Sequence, residues 1–285
     1  MCDELTNADN ERFLTGVSRR AFGAGAAATG IAALLPSPAN AAPIKGRDVT
    51  VATPDGQCDA YLVAPARGRY PGVIVWPDIF GLRLAFRQMA DRLAQSGYAV
   101  LTVNQFYRST KTPFATAGEG MTPAFRDKVG PWRALLTPDA ATRDATAFVA
   151  FLDKQPEVAT KRGMGTTGYC MGGPAVMLTA AAAPERVRAA ATFHGGGMAT
   201  APMLELVPQM RASWLVAIAQ NDDERAPGDK DKLRQAFAAT RASTEIEVYP
   251  STMHGWCPPD SQVYNAAQAD RAWDRLLDRF GRALA

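Results

Sequence analysis

Thr166-Thr167-Gly168-Tyr169-Cys170-Met171-Gly172-Gly173 is the stretch on which the fold turns. A β-prone run, Gly163–Gly168, leads into it, and a small-residue run with helical composition, "PAVMLTAAAA" from Pro174, leads out. At that strand-to-helix junction the order Gly-x-Cys-x-Gly has a steric reason. The central residue sits on a sharp, strained turn, and side chains two places to either side would collide with the adjoining strand and helix. The junction also puts the thiol at a helix N-terminus, where unpaired N–H groups and the helix dipole favour thiolate, and makes the Met171 N–H a donor to an oxyanion. Alone, Cys170 remains open to four readings: nucleophile, half of a disulfide, metal ligand, or small buried hydrophobe.

Working outward, apolar β-branched runs bounded by Gly, Pro and Asp recur with helical patterns between them. Strands are expected at Arg47–Thr53, Gln57–Ala64, Gly72–Trp76, Tyr98–Asn104, Gly163–Gly168, Ala189–Phe193, Trp214–Ala219 and Glu245–Tyr249. Helices are expected at Arg83–Ser96, Pro138–Lys154, Gly173–Ala183, Asp229–Ala239 and Ser261–Phe280. "TPDGQ" joins the first two strands as an antiparallel pair, and the later alternation predicts a mostly parallel sheet of about eight strands covered on both faces. The fold class is α/β. The segment Arg108–Thr137 holds three prolines and three glycines, which argues against a long helix there, and it leaves the carboxyl edge of the sheet, where open α/β sheets bind ligands. A pocket wall and a plain excursion are both compatible with it.

The N-terminus reads as a leader. Ser18-Arg19-Arg20 followed by Phe22, a short Gly/Ala-rich apolar run over Ala21–Leu35, and Ala39-Asn40-Ala41 have the order of a twin-arginine export signal with a small-x-small cleavage site. The apolar run is shorter than the roughly 20 residues that span a bilayer, so no lasting membrane anchor is expected. The expected division is a signal over residues 1–41 and one domain over 42–285, working outside the cytoplasm and, by the export route, in the periplasm. Three cysteines, Cys58, Cys170 and Cys257, then remain in that domain. Pairing of Cys58 with Cys257, pairing of Cys170 with Cys257, and three separate thiols are all open, because connectivity needs distances.

Charged residues make up 21% of the chain, the formal net charge is +3, and like charges do not run together, so nucleic acid is not implied as a partner. No Cys/His spacing reads as a zinc site, and neither metal nor cofactor is expected. With two histidines in the chain the choice of base is narrow. His254, in "YPSTMHGWCPP", follows the last strand and completes the chain order nucleophile, acid, base. Asp222, the first carboxylate after the strand "SWLVAIA", is placed to orient it, and Asp223 and Glu224 read as solvated loop charges. His194, in "TFHGGG", looks like a lipase oxyanion motif but lies on the wrong side of the nucleophile, and reads instead as a tight strand exit near the pocket. After the first parallel strand, in "GVIVWPDIFGLR", Ile79 N–H is the second candidate oxyanion donor. Asp78 then stands either beside the thiol or as a poorly placed cap for the helix near Arg83.

"GYCMGG" around Cys170, "VIVWPDIFGLR" around Asp78, "QNDDERAP" around Asp222 and "MHGW" around His254, in that order, resemble the dienelactone hydrolase family, α/β hydrolases with a cysteine nucleophile. The resemblance spans roughly Val49 to Phe280. It implies Cys170 as nucleophile, His254 as base, Asp222 as its orienter, Met171 and Ile79 N–H as oxyanion hole, and Asp78 as an acid that modulates the thiol. It also implies Arg108 in "FYRST" as a holder of the substrate carboxylate. A second family arginine just past the histidine is missing, and Trp256 stands there as a candidate substrate contact, which points to an ester or lactone other than dienelactone itself. The expected partner is a small ester or lactone, and the expected assembly a monomer or small homo-oligomer. The competing reading is an exported binding or thiol-redox protein on the same fold.

Overall fold

The structure, a computed structural model, describes residues 8–10, 12–14, 35, 41–116 and 119–285. Most of the expected leader, including the Arg19-Arg20 pair, lies outside the described residues. Among the described residues no helix is long and apolar enough to cross a membrane.

Eight strands form a single sheet: β1 (Ile44–Thr53), β2 (Gly56–Pro65), β3 (Gly72–Trp76), β4 (Ala99–Val103), β5 (Met164–Tyr169), β6 (Val187–Phe193), β7 (Ser213–Ala219) and β8 (Thr244–Tyr249). Their spatial order is β1-β2-β4-β3-β5-β6-β7-β8. β2 runs antiparallel to both β1 and β4, and the remaining pairings are parallel. This is the mostly parallel sheet with an N-terminal antiparallel pair that the sequence predicts. Every residue of β3 and β4 is buried, which is why "GVIVW" and "AVLTV" read as continuous apolar runs rather than alternating ones.

Helices α1 (Leu84–Gln95), α2 (Pro123–Leu135), α3 (Pro138–Leu152), α4 (Gly172–Ala182), α5 (Gln220–Arg225), α6 (Asp229–Ala238) and α7 (Ala266–Ala283) complete the frame. One face of the sheet is covered by α3, α4 and α6, through Phe148, Met177, Leu233 and Phe237. The other is covered by α1 and α7, through Phe86, Leu93, Leu276 and Phe280. Each such side chain contributes about 1.5–3 kcal/mol by leaving water. In α7 the buried residues Ala272, Leu276 and Phe280 fall four apart on one stripe. The helix starts later than the expected Ser261 because Asn265, whose side chain accepts from Gln268 N–H, is the residue that caps it.

The segment Arg108–Thr137 departs from expectation, since α2 is a 13-residue helix within it. Pro123 takes the first helical position, where its missing N–H removes no bond, and the Thr122 hydroxyl accepts from Phe125 N–H at 3.1 Å. Pro131 does cost one interior bond. Phe125 and Val129, buried against Ile79 and Phe106, offset it. With Phe80, Phe114, Met121, Trp132 and Met171 packed around them, these side chains form a small apolar cap outside the carboxyl edge of the sheet.

Candidate active site

Five parallel strands deliver their exits to one edge: Ile79 after β3, Cys170 after β5, His194 after β6, Asp222 in α5 after β7, and His254 after β8. Cys170 has φ 54°, with its N–H donating to Phe193 O at 3.0 Å and its carbonyl accepting from Gly173 N–H at 3.1 Å. The flanking glycines are required sterically. A Cβ on Gly168 would stand 2.5 Å from Gly172 O, and one on Gly172 would stand 2.5 Å from Trp76 O. Backbone on both sides closes the turn, which forces the strained φ onto Cys170 and aims its side chain at the sheet edge.

Cys170 Sγ lies 3.1 Å from His254 Nε2, and His254 Nδ1 lies 2.8 Å from Asp222 Oδ2. Burial works against a charged His254 ring, but the Asp222 carboxylate and then the Cys170 sulfur push its pKa up to about 10. The ring is thereby disposed to hold a proton beside the sulfur. Two side chains that sequence reasoning missed hold this row in place. Asn221 Oδ1 accepts from His254 N–H at 2.8 Å. Gln105, 3% exposed, donates from Nε2 to Asp78 O at 2.6 Å and so pins the strand exit that carries Ile79. Neither is signalled by a motif, because each acts through a backbone group of another loop. Met171 N–H belongs to the first turn of α4, whose N–H groups have no partner inside the helix.

Other expectations change on folding. Asp78 does not cap the helix that begins at Leu84, whose N-cap is Arg83, and it is buried. Its carboxylate receives both terminal nitrogens of Arg83, at 2.7 and 3.0 Å, and Phe80 N–H at 2.9 Å. Arg83 binds Asp260 just as tightly, at 2.6 and 2.9 Å, so a buried Asp78–Arg83–Asp260 bridge ties the β3 exit to the chain beyond His254. Burial raises the Asp78 pKa, the Arg83 charge opposes it, and the Cys170 charge adds to the rise, which places the carboxyl within electrostatic reach of the thiol. Arg108, expected against a substrate carboxylate, instead gives its guanidinium to Asp144 at 2.8 Å and Asp55 at 2.6 Å. Trp256, expected as a substrate contact, is fully buried and packs on Tyr249 with ring centroids 4.7 Å apart. Asp223 and Glu224 lie in α5 rather than a loop, Asp223 paired with Lys230 at 2.6 Å.

Cys58, Cys170 and Cys257 form no disulfide. Cys58 packs on the α3 and α4 face and Cys257 on the α1 and α7 face, so the sheet separates them. His194 is closer to Cys170 than its sequence position suggests: its ring is 5.0 Å from that of His254, and Cys170, His194 and His254 converge into one buried cluster.

This arrangement can activate a thiol, move a proton through His254 and offer backbone donors to an oxyanion, and chains of known type share its frame. The dienelactone hydrolase-like promiscuous phosphotriesterase P91, from metagenomic libraries, superposes with a TM-score of 0.71 at 21% identity, over 85% of this chain and all of that one. The dienelactone hydrolase of Anabaena variabilis superposes at 0.61 and 19% identity, over 85% of this chain and 99% of that one. In sequence, the carboxymethylenebutenolidase of Rhodococcus opacus is 27% identical over 221 residues, covering 74% of this chain and 81% of its own. A Synechocystis protein assigned the same activity is 27% identical over 244 residues, covering 83% and 96%. The sequence pattern of the dienelactone hydrolase family matches residues 58–284, from near the start of β2 through α7. A sheet of this order and a match of that extent lead to one conclusion: the chain belongs to the dienelactone hydrolase family.

Proposed function

We propose that the protein hydrolyses small, uncharged esters or lactones through a cysteine acyl-enzyme. Cys170 thiolate attacks the carbonyl carbon, the N–H groups of Met171 and Ile79 receive the tetrahedral oxyanion, and the His254 imidazolium protonates the leaving alcohol. Neutral His254, oriented by Asp222, then takes a proton from water as it attacks the thioester, and collapse expels the Cys170 thiolate beside the restored imidazolium. The observation that carries this reading is the row Asp222 Oδ2–His254 Nδ1, 2.8 Å, and His254 Nε2–Cys170 Sγ, 3.1 Å, at the start of a helix. Asp78, within electrostatic reach of the sulfur, restrains it at rest through a charge that Arg83 largely offsets.

The preference for an uncharged substrate follows from the surroundings. Arg108 is engaged by two carboxylates, and the side chains next to the oxyanion donors are Phe80, Phe106, Phe125 and Trp132. A substrate carboxylate in that cap would lack the charge-assisted partners it needs. Purified protein should turn over a phenyl or short aliphatic ester, or an unsubstituted lactone, and Cys170→Ala should abolish this while the circular dichroism spectrum is kept. Turnover retained by Cys170→Ala would end the hydrolytic reading, and a preference for carboxylated lactones over neutral ones would end the substrate assignment. Disulfide exchange at Cys170 without acylation by any ester would favour the binding or redox alternative.

We further propose export by the twin-arginine route with cleavage after Ala41, on the strength of Ser18–Phe22 and Ala39-Asn40-Ala41. Mature protein recovered from the periplasm should begin at Ala42, and Arg19→Lys/Arg20→Lys should leave it in the cytoplasm. The assembly proposed is a monomer or small homo-oligomer, which sedimentation would read directly.

A further inference from the structure

His194 takes no part in the hydrolytic scheme, yet it is built into the site. It is 1% exposed and held at φ 43°, and among the described residues only the Cys170 sulfur approaches its ring nitrogens as a hydrogen-bond partner. A buried imidazole so sparsely paired calls for a reason. One ligand atom each of Cys170, His194 and His254 lies within 4.8 Å of the others.

We propose that Cys170, His194 and His254 form a three-ligand site for a thiophilic divalent cation, Zn²⁺ by donor chemistry, with the fourth position open on the pocket side. One sulfur and two imidazole nitrogens suit Zn²⁺ and disfavour Mg²⁺ and Ca²⁺, which take oxygen. With Zn–S near 2.3 Å and Zn–N near 2.0–2.1 Å, tetrahedral geometry sets neighbouring ligand atoms about 3.3–3.6 Å apart. Cys170 Sγ and His254 Nε2, at 3.1 Å, are already close enough, so the adjustment falls on His194. From a spread of at most 4.8 Å it closes by roughly 1.5 Å at most, within reach of a side-chain rotation. Asp222 on His254 Nδ1 supplies the carboxylate–histidine–metal relay that fixes a ligating tautomer.

Binding is balanced without a redox partner. The Cys170–His254 pair carries one ionisable proton, whether on sulfur or on nitrogen. Zn²⁺ replaces it, gaining bonds to the thiolate sulfur and to Nε2 of His254 together with a nitrogen of His194, and the proton leaves to solvent. An occupied site has no thiolate lone pair pointing at substrate, so the ion acts as a reversible block on the nucleophile.

The test needs no substrate, so it stands or falls separately from the hydrolytic reading. Competition against a chromophoric chelator should give one Zn²⁺ per chain at micromolar free metal or tighter. Enthalpies measured in buffers of different ionisation heat should report about one proton released per ion. Co²⁺ should show thiolate-to-metal charge transfer and tetrahedral ligand-field bands, and Zn²⁺ should protect Cys170 from iodoacetamide, mapped by mass spectrometry. His194→Ala should weaken Zn²⁺ at least about 100-fold, since loss of even an outer partner costs 10–100-fold, and Cys170→Ser should remove the charge-transfer band. If His194→Ala does not fold, His194→Gln, closer in size, carries the same measurement. Binding unchanged in the folded His194 variant, a Co²⁺ spectrum without the thiolate band, or no ion retained at micromolar free Zn²⁺ would each overturn the proposal.

Discussion

Replacing Arg83 by Met tests how the two halves of the site are held together. The guanidinium is 6% exposed and carries two carboxylates, Asp78 and Asp260, each 9% exposed, so Arg83→Met leaves two buried anions facing each other without a cation. Breaking a buried pair by removing one partner costs about 3–5 kcal/mol, a large part of the 5–15 kcal/mol that holds a typical domain together. With a urea m-value of about 2–3 kcal/mol/M the midpoint should fall by roughly 1–2.5 M. The pH dependence gives a second signature. Burial already raises the Asp78 pKa and the Arg83 charge opposes that rise, so without Arg83 the folded-state value climbs further above the unfolded one of about 3.9, and the folded variant binds more protons than the unfolded chain. Its stability is then least impaired near and below pH 4 and falls as pH rises through the raised value. Urea titrations from pH 4 to pH 8 should show the deficit against wild type widening. The neutral triple variant Asp78→Asn/Arg83→Met/Asp260→Asn should regain a good part of the loss at pH 7, and kcat should fall more than KM rises, because Ile79 N–H shifts with its strand exit. A loss below about 1 kcal/mol, or one that is flat with pH, would refute the assignment of a buried, charge-bearing bridge.

Asn221→Ala removes the acceptor of His254 N–H at 2.8 Å and should cost about 1–3 kcal/mol of stability, with turnover falling more than substrate binding in steady-state kinetics. Gly172→Ala forces a Cβ to within 2.5 Å of Trp76 O, and a melting temperature lowered by the equivalent of roughly 1–3 kcal/mol, with slower acylation of Cys170, is the expected result. The Arg275 hydrogen bond, against a smaller rise from burial, lowers the Glu245 pKa, so its contribution is present above the unfolded value and is lost as pH falls through the folded one. Glu245→Gln should therefore cost about 1 kcal/mol or less at pH 7, the difference shrinking below pH 4 and in high salt, as read by chemical denaturation.

Strand exits were legible because each is announced locally: apolar runs end in "PD", "GYC", "HGGG" and "QNDD", and turn chemistry at those points is a near-neighbour property. That is enough to place Cys170, Asp222, His254, Met171 and Ile79 at strand exits. It is not enough for residues whose partners are distant in the chain. Arg108 matched its motif, yet Asp55 and Asp144, 53 and 36 residues upstream and downstream, hold its guanidinium. Trp256, two residues past His254, turns into the core onto Tyr249 rather than toward a ligand. The helix Pro123–Leu135 was obscured because a proline count does not register that one of those prolines sits at the position where it costs no bond.

Strand order explains the rest. Chain order places His194 between the nucleophile and its acid and gives it no role, but spatial order puts β6 directly beside β5, with β7 and β8 beyond it. Next to Cys170 there are thus two neighbouring exits, β3 with Ile79 on one side and β6 with His194 on the other. His254, delivered from β8, reaches the thiol only because the chain over 250–254 folds back across two strands. Asn221 accepting from its N–H and Thr252, whose hydroxyl accepts from Gln220 N–H at 3.1 Å, hold that return. The proposed base is thus the far residue and the unassigned histidine the near one. A parallel sheet that brings the base across β6 must carry it past whatever side chain β6 presents there. In this chain that side chain is a buried imidazole, which turns the Cys170–His254 contact into a three-donor cluster.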